Sequence, residues 1–415
     1  MMICNTKPMI LTCYNKALVH LADTSVCWWP DPSADIAPIT KVTGAVAVCA
    51  CKRSGLHAVL THDGRILVGL KPEYPLTDIT PSAHPSLSTE LLEEGVEIHV
   101  YRAIITVKTL NSISFIYTML SRSYNKPVIM CASTFDTFPY EINLSSFAAS
   151  HGLIRTANNS MILVDTDHNL DSSIRPIDIC DAENIQEIIC ADGFTLLIMK
   201  NGAVRACGLF SSLHSSHSWF PSTDNPFVQI EFPDGVTVAK IVTDGLQIFY
   251  ITTTGQCYYH NARAPTEGRP VIVQSFTDYY VENVFITNDF VIIQHDGNKL
   301  RYTYLRDTHR DYGTRMSPSD INGTGGRQRP DGTYEKGFSP EALPSFDNKG
   351  IVAVDEVHGW LYFTTSEGRV YYHTARDLIC QYPRIREIQL FVDSPVMIEC
   401  GAARIQSATS ALNDA

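Results

Sequence analysis

One short phrase recurs along this chain and limits what it can fold into. Gly193 to Gly202 reads GFTLLIMKNG: a glycine, a run of β-forming apolar residues, then a tight turn closing on a second glycine. The phrase returns as GLHAVLTHDG (Gly55 to Gly64), GLQIFYITTTG (Gly245 to Gly255) and GWLYFTTSEG (Gly359 to Gly368), while NDFVIIQHDG keeps only its last glycine, Gly297. A strand-like run precedes each copy (AVAVCAC, IQEIICAD, VAKIVTD, VENVFIT, IVAVDEV), and another follows it (RILVGL, AVRACG, QCYYHN, NKLRYTY, RVYYHTA). The unit is strand, turn, strand, hairpin, strand.

Physical chemistry accounts for the residue types. Asn-Gly, Asp-Gly and Glu-Gly suit a hairpin whose backbone needs positive φ, which glycine adopts without steric penalty. Runs of Val, Ile, Leu, Phe and Tyr fit a pleated surface covered on both faces. Such small units bury their faces only by stacking on neighbours.

Three degraded copies fill the gaps. Ala149 to Asp165 turns on Asn158-Asn159, Arg102 to Ser133 has Asn-Lys-Pro at its second joint, and Arg386 to Thr409 has Asp393-Ser394-Pro395 and a lone Gly401. With five strong copies this makes eight. The expected architecture is all-β, four-stranded blades repeated around an axis, which protects strand edges. The N-terminal KPMILTCYN resembles the third strand of a repeat and is expected to pair with the C-terminal copy and close the ring. A single domain over residues 1–415 and a monomeric ring follow from that reading.

Composition narrows the class. A 415-residue chain with 44% hydrophobic and 18% charged residues can bury a large core. Its formal charge of −12 gives no strong signal for nucleic acid, which needs a basic surface to displace counterions. Twelve scattered cysteines, among them Cys49, Cys190, Cys257 and Cys400 inside apolar runs, read as reduced core thiols. No apolar run is long enough for a signal or membrane segment, so the expectation is a soluble protein of the cytoplasm or nucleus. Asn143, Asn158 and Asn322 are then chance matches to the glycosylation pattern.

No catalytic role is expected: the chain lacks a GxxxxGK[ST] phosphate loop, HExxH and GxSxG. Cys49-Ala50-Cys51 has no second ligand pair at zinc spacing, so no metal and no cofactor is expected. His62-Asp63 and His295-Asp296 look like acid-base dyads, yet both fall on hairpins and are read as turns.

Two stretches stand outside the repeat. Residues 307–349 form a long glycine- and proline-rich insertion, expected as a loop, with Arg310, Arg315, Arg327, Arg329, Tyr334 and Lys336 as candidate partner-binding residues. Within it GTGGRQR, Gly323 to Arg329, is a weak candidate to cradle phosphate. Trp28 and Trp29, adjacent and outside any expected strand, suit either an interface anchor or a plug where the termini meet.

The phrase I-x-x-I-x-C/A-x-G, clearest from Ile185 to Gly208, resembles the repeat of the regulator of chromosome condensation family, the RCC1-like β-propellers. The resemblance runs from about Gly44 to Thr409. It implies a ring of seven blades, or eight if every copy is a blade, closed by strands from both termini. It rests on the repeat glycines Gly55, Gly64, Gly193, Gly202, Gly245, Gly255, Gly297, Gly359 and Gly368. The family's Gly-Gln-Leu-Gly element is absent, LFSSLHSSHSWF standing after Gly208, and so is a basic N-terminal tail. The function expected first is a noncatalytic platform whose loops bind a protein partner. The resemblance implies the alternative, guanine-nucleotide exchange on a Ran-like small GTPase.

Overall fold

The computed structural model describes residues 9–13, 16–20, 24–29, 39–51, 55–71, 74–80, 97–101, 104–108, 113–121, 126–135, 142–147, 151–166, 172–191, 193–208, 227–245, 247–262, 269–287, 290–304, 341–342, 348–357, 360–366, 370–374, 386–390 and 405–407. The chain divides into two compact units, Met1–Glu141 with Gly350–Ala415, and Ile142–Lys349.

The first unit holds four antiparallel sheets whose strand order follows the chain. Sheet A is β1 (Met9–Cys13), β2 (Lys16–His20), β3 (Val26–Trp29) and β4 (Ile39–Val42). Sheet B is β5 (Ala45–Ala50), β6 (His57–Thr61), β7 (Ile66–Gly69) and β8 (Thr77–Asp78). Sheet C is β9 (Glu97–Tyr101), β10 (Ile104–Lys108), β11 (Ile113–Ser121) and β12 (Lys126–Phe135).

The second unit is built the same way. Sheet D is β13 (Ile142–Phe147), β14 (His151–Thr156), β15 (Met161–Thr166) and β16 (Ser172–Ile177). Sheet E is β17 (Ile185–Ala191), β18 (Phe194–Met199), β19 (Val204–Cys207) and β20 (Val228–Gln229). Sheet F is β21 (Val238–Thr243), β22 (Gln247–Thr252), β23 (Cys257–Asn261) and β24 (Val271–Ile272). Sheet G is β25 (Val281–Ile286), β26 (Phe290–His295), β27 (Lys299–Tyr304) and β28 (Glu341–Ala342). The last sheet, H, belongs to the first unit and has five strands: β29 (Ile351–Val357), β30 (Trp360–Thr365), β31 (Val370–Thr374), β32 (Arg386–Leu390) and β33 (Ile405–Ser407).

Seven of the eight expected copies fall on sheets B to H, and the termini differ from expectation. KPMILTCYN does not pair with the C-terminal copy: β1 opens its own sheet by pairing with β2, in the register Met9↔His20 to Cys13↔Lys16. The repeat phrase is absent from this stretch because Thr24, not glycine, takes the left-handed position there, at φ 65°. Nor does Arg386 to Thr409 make a sheet of its own, since β32 and β33 extend sheet H. Trp28 and Trp29 lie inside β3, with Trp28 half-buried against a core of Leu18, Val26, Ala45, Val59 and Leu67. The insertion is not loop throughout, because Glu341–Ala342 returns as the fourth strand of sheet G, pairing Tyr302↔Glu341 and Arg301↔Ala342.

A β-bulge explains the I-x-x-I spacing, which does not fit a regular strand. In a regular strand, residues three apart face opposite sides. The register of the first strand slips once, at Ile185/Glu187 in sheet E, Val238/Lys240 in F and Val281/Asn283 in G. The extra residue turns the strand, so Ile185 and Ile188 both enter one core, as do Val238 with Ile241 and Val281 with Val284. Sheets B, D and H carry the slip at the same place.

Second strands are buried on both faces. On β18, Leu197 and Met199 pack with Leu153 and Leu163 of sheet D, whereas Leu196 and Ile198 pack with Ile248 and Tyr250 of sheet F. On β22 the alternation repeats: Phe249 and Ile251 face Val291 and Ile293 of sheet G. This is the packing expected of GFTLLIM and GLQIFYIT. Burying one such side chain contributes about 1.5–3 kcal/mol.

Candidate interaction face

At one end of each sheet sit the second hairpin and the start of the first strand. Backbone bonds tie them together: His62 N–H donates to Gly44 O (2.8 Å), Lys200 to Asn184 O (2.7 Å), Thr253 to Thr237 O (2.9 Å), Asp296 to Tyr280 O (3.1 Å) and Ser366 to Gly350 O (2.8 Å). The hairpin also holds the next sheet. Val238 N–H donates to Gly202 O (3.0 Å), Val281 to Gly255 O (2.9 Å) and Ala45 to Thr24 O (2.8 Å). Gly255 is needed here twice over: its φ is 75°, and a Cβ would stand 2.4 Å from Cδ2 of Tyr280.

Side chains at this end close turns. Thr61 Oγ1 donates to Asp63 Oδ1 (2.5 Å) and accepts from Arg65 N–H (3.1 Å), while Asp63 Oδ2 accepts from Arg65 Nε (2.8 Å). The Thr61 hydroxyl, and then Arg65, hold the Asp63 carboxyl below the usual range. Thr156 with Asn158 and Thr252 with Thr254 repeat the device. His62 meanwhile approaches Gly44 O through Nδ1 at 3.2 Å, so His62-Asp63 is a turn and not a dyad.

Sheet G departs from this pattern. At the threonine position stands His295, nearly buried, with Nδ1 2.9 Å from Asp296 Oδ2. Asp296 Oδ1 accepts from Tyr280 N–H (3.1 Å), and Glu282 accepts from Gly297 N–H (2.7 Å) and Asn298 N–H (3.3 Å). Three consecutive residues, Asp296, Gly297 and Asn298, have positive φ. Here the two residues do touch: Asp296 meets His295 through Oδ2 and ties the turn to the Tyr280 amide through Oδ1. The His295 contact, then the Tyr280 amide, lower the Asp296 pKa.

The opposite end carries the connections from third to fourth strand. In unit two, residues 209–226 join β19 to β20 and residues 305–340 join β27 to β28. Buried polar groups gather near this end of sheets D to F. His151 Nε2 lies 2.6 Å from Thr195 Oγ1, whose hydroxyl donates to Cys190 Sγ at 3.6 Å, and Cys190 N–H donates to Ser146 Oγ at 2.9 Å. The pairs equivalent to Cys190↔Thr195 are Thr243↔Ile248 and Ile286↔Val291, so this polar seam is not dictated by the repeat. Burial pushes the Cys190 thiol up to about 11 and Cys207 to about 12, and raises Cys49 and Cys257 as well. These are inert thiols at neutral pH, as the sequence suggested. His260, 3.3 Å from the Tyr250 hydroxyl, is lowered by burial to about 4.

The expected partner-binding residues Arg310, Arg315, Arg327, Arg329, Tyr334 and Lys336 lie outside the described residues, as do Gly323 to Arg329, Cys400, Gly359 and Gly368. The other repeat glycines, Gly55, Gly64, Gly193, Gly202, Gly245, Gly255 and Gly297, all have positive φ. Trp28 is a strand residue with Lys41 Nζ 6.0 Å from its ring centroid. Among the described residues no three His, Cys, Asp or Glu side chains gather at metal-binding distance, and no helix is long and apolar enough to cross a membrane. The polar seam at Cys190 had no sequence signal beyond a histidine and a threonine in otherwise apolar positions.

No family model matches this chain, and no curated protein matches its sequence. Solved structures do resemble it at low identity. Human WBSCR16 is 12% identical with a TM-score of 0.48, covering 79% of this chain and 90% of that one. Yeast RCC1 (Prp20), crystallised bound to Kap60, is 9% identical with a TM-score of 0.45, covering 77% and 81%. The Cps50 (Swd1) β-propeller domain of Myceliophteria thermophila is 8% identical with a TM-score of 0.42, covering 79% and 95%.

Proposed function

We propose that this chain is a noncatalytic interaction platform, its sheets the blades of a β-propeller and its partner a protein. One observation carries the reading: the frame is constant and the connections are not. Bulge, buried second strand and clasped hairpin recur from sheet to sheet, while the third-to-fourth-strand connections run from residues 70–76 in sheet B to 305–340 in sheet G. A rigid scaffold with variable loops at one end is the usual arrangement for recognition. In the sequence, the stretch between β19 and β20 contains Phe210, Trp219 and Phe220, and the stretch between β27 and β28 contains Arg310, Arg315, Arg327 and Arg329. Aromatic residues and arginine are the types that dominate binding energy at protein interfaces.

The test compares affinity capture by the wild-type chain and by a variant with Arg310, Arg315, Arg327 and Arg329 changed to serine. The reading expects a partner recovered with wild type and lost with the variant. Recovery that is unchanged removes the insertion from the account. Release of fluorescent GDP from a Ran-like GTPase, measured in the same material, is expected to stay at its uncatalysed rate; acceleration by substoichiometric protein would replace the platform with an exchange factor.

A further inference from the structure

In unit two the first residue of each second strand is His151, Phe194, Gln247 or Phe290. Phe194 and Phe290 are buried apolar plugs, and His151 is buried with Nε2 against the Thr195 hydroxyl. Gln247 breaks the pattern. It is only 8% exposed, and among the described residues its Oε1 meets no hydrogen-bond donor. Its backbone is fixed from both sides, since its N–H donates to Asp244 Oδ1 (2.7 Å) and its O accepts from Asp244 N–H (3.4 Å). The carbonyl of the side chain is what is left over.

A second buried amide stands beside it. Gln247 pairs across the hairpin with Asn261, where sheet G pairs Phe290 with Tyr304. Alternation places Gln247 on the side of β22 that carries Phe249 and Ile251, and Asn261 on the side of β23 that carries Cys257 and Tyr259, so both amides lie on the side of sheet F that faces sheet G. A buried carbonyl without a donor costs stability, and an aromatic residue here, as in sheets E and G, would remove that cost.

We propose that Gln247, with Asn261 beside it, is a recognition site for a peptide group of a partner protein, Gln247 Oε1 accepting the partner's amide N–H and a carboxamide N–H donating to its carbonyl oxygen. A carboxamide offers an acceptor and two donors without charge, which fits a neutral group presenting both a donor and an acceptor better than an ion. The place fits as well: Gln247 is first on β22 and Asn261 last on β23, at the end of sheet F where the connection from third to fourth strand leaves. The partner's class rests on the platform reading above.

The experiment needs no identified partner. A blocked triglycine peptide, which offers peptide groups and no side chains, is titrated into the full chain carrying 15N in its glutamine and asparagine side chains, with glycerol run beside it as a source of hydroxyls alone. The Gln247 signal, identified by its loss in Gln247→Met, is expected to move saturably with the peptide and to stay still with glycerol. Binding followed at the Asn261 side chain is expected to be at least about tenfold weaker in Gln247→Met. Melting temperature separates recognition from structure, because the methionine chain has no orphaned carbonyl and is expected to melt at or above the wild type. A methionine chain that melts several degrees lower, or does not fold, makes the amide structural and overturns the proposal. So does a Gln247 signal that ignores the peptide, as it would if water were the only occupant, or one that moves equally with glycerol. Capture that depends on the arginines while Gln247 ignores the peptide would keep the platform and remove this site alone.

Discussion

Gly255 and Gly297 both lie in second hairpins of neighbouring sheets, three residues after Thr252 and two after His295, and the structure asks different things of them. Both need positive φ, but only Gly255 lies under the next sheet's entry, with Tyr280 against it. Alanine at 297 should cost about 1–2 kcal/mol, the penalty of a left-handed residue with a side chain. Alanine at 255 should cost visibly more, since the Tyr280 ring and backbone must also shift. Urea unfolding of the two variants checks the order. The glycines were legible because hairpin chemistry is local; that one of them also spaces two sheets was not, because Tyr280 is distant in sequence.

His260 gives a prediction in pH. Its folded pKa, about 4, is below the ordinary 6.5, so the unfolded chain binds the proton more tightly. Stability is therefore whole above pH 6.5 and falls as pH drops toward 4, by at most about 3 kcal/mol. The carboxyls of Asp63 and Asp296, lowered and exposed, act in a different window: their contribution persists until pH falls through their depressed values. Chemical denaturation between pH 7 and 4.5 should show the slope, and His260→Leu should flatten it. A slope that survives the substitution assigns the effect to another group.

At the scale of elements, the second strands hold the sheets together. Phe249→Ala on β22, fully buried between two sheets, should cost about 3–5 kcal/mol, whereas Val228→Ala on the exposed edge strand β20 should stay within about 0.5 kcal/mol. Thermal unfolding of both variants reads this directly. Seven sheets were visible in the sequence because each pairs apolar runs with marked joints. Sheet A was missed because Thr24 replaces the glycine, and β28 because two residues inside a glycine- and proline-rich stretch carry no strand pattern. The I-x-x-I spacing was seen without its cause; a bulge is a property of pairing, and one strand's sequence does not reveal it. The arginines proposed to bind a partner were read from composition alone and lie outside the described residues.

For the whole molecule, the proposed function needs a frame that folds independently of the connections proposed to recognise a partner. The frame ends at β27 and resumes at β28, so a cut in the insertion must spare Glu341–Ala342. Replacing residues 308–338 by a short Gly-Ser linker, and measuring melting temperature and partner capture on the same preparation, puts the separation to its most direct test. The account predicts a melting temperature within a few degrees of wild type and at least a tenfold loss of capture. A variant that unfolds early would make the insertion part of the frame, and one that is stable and binds as wild type does would contradict the account.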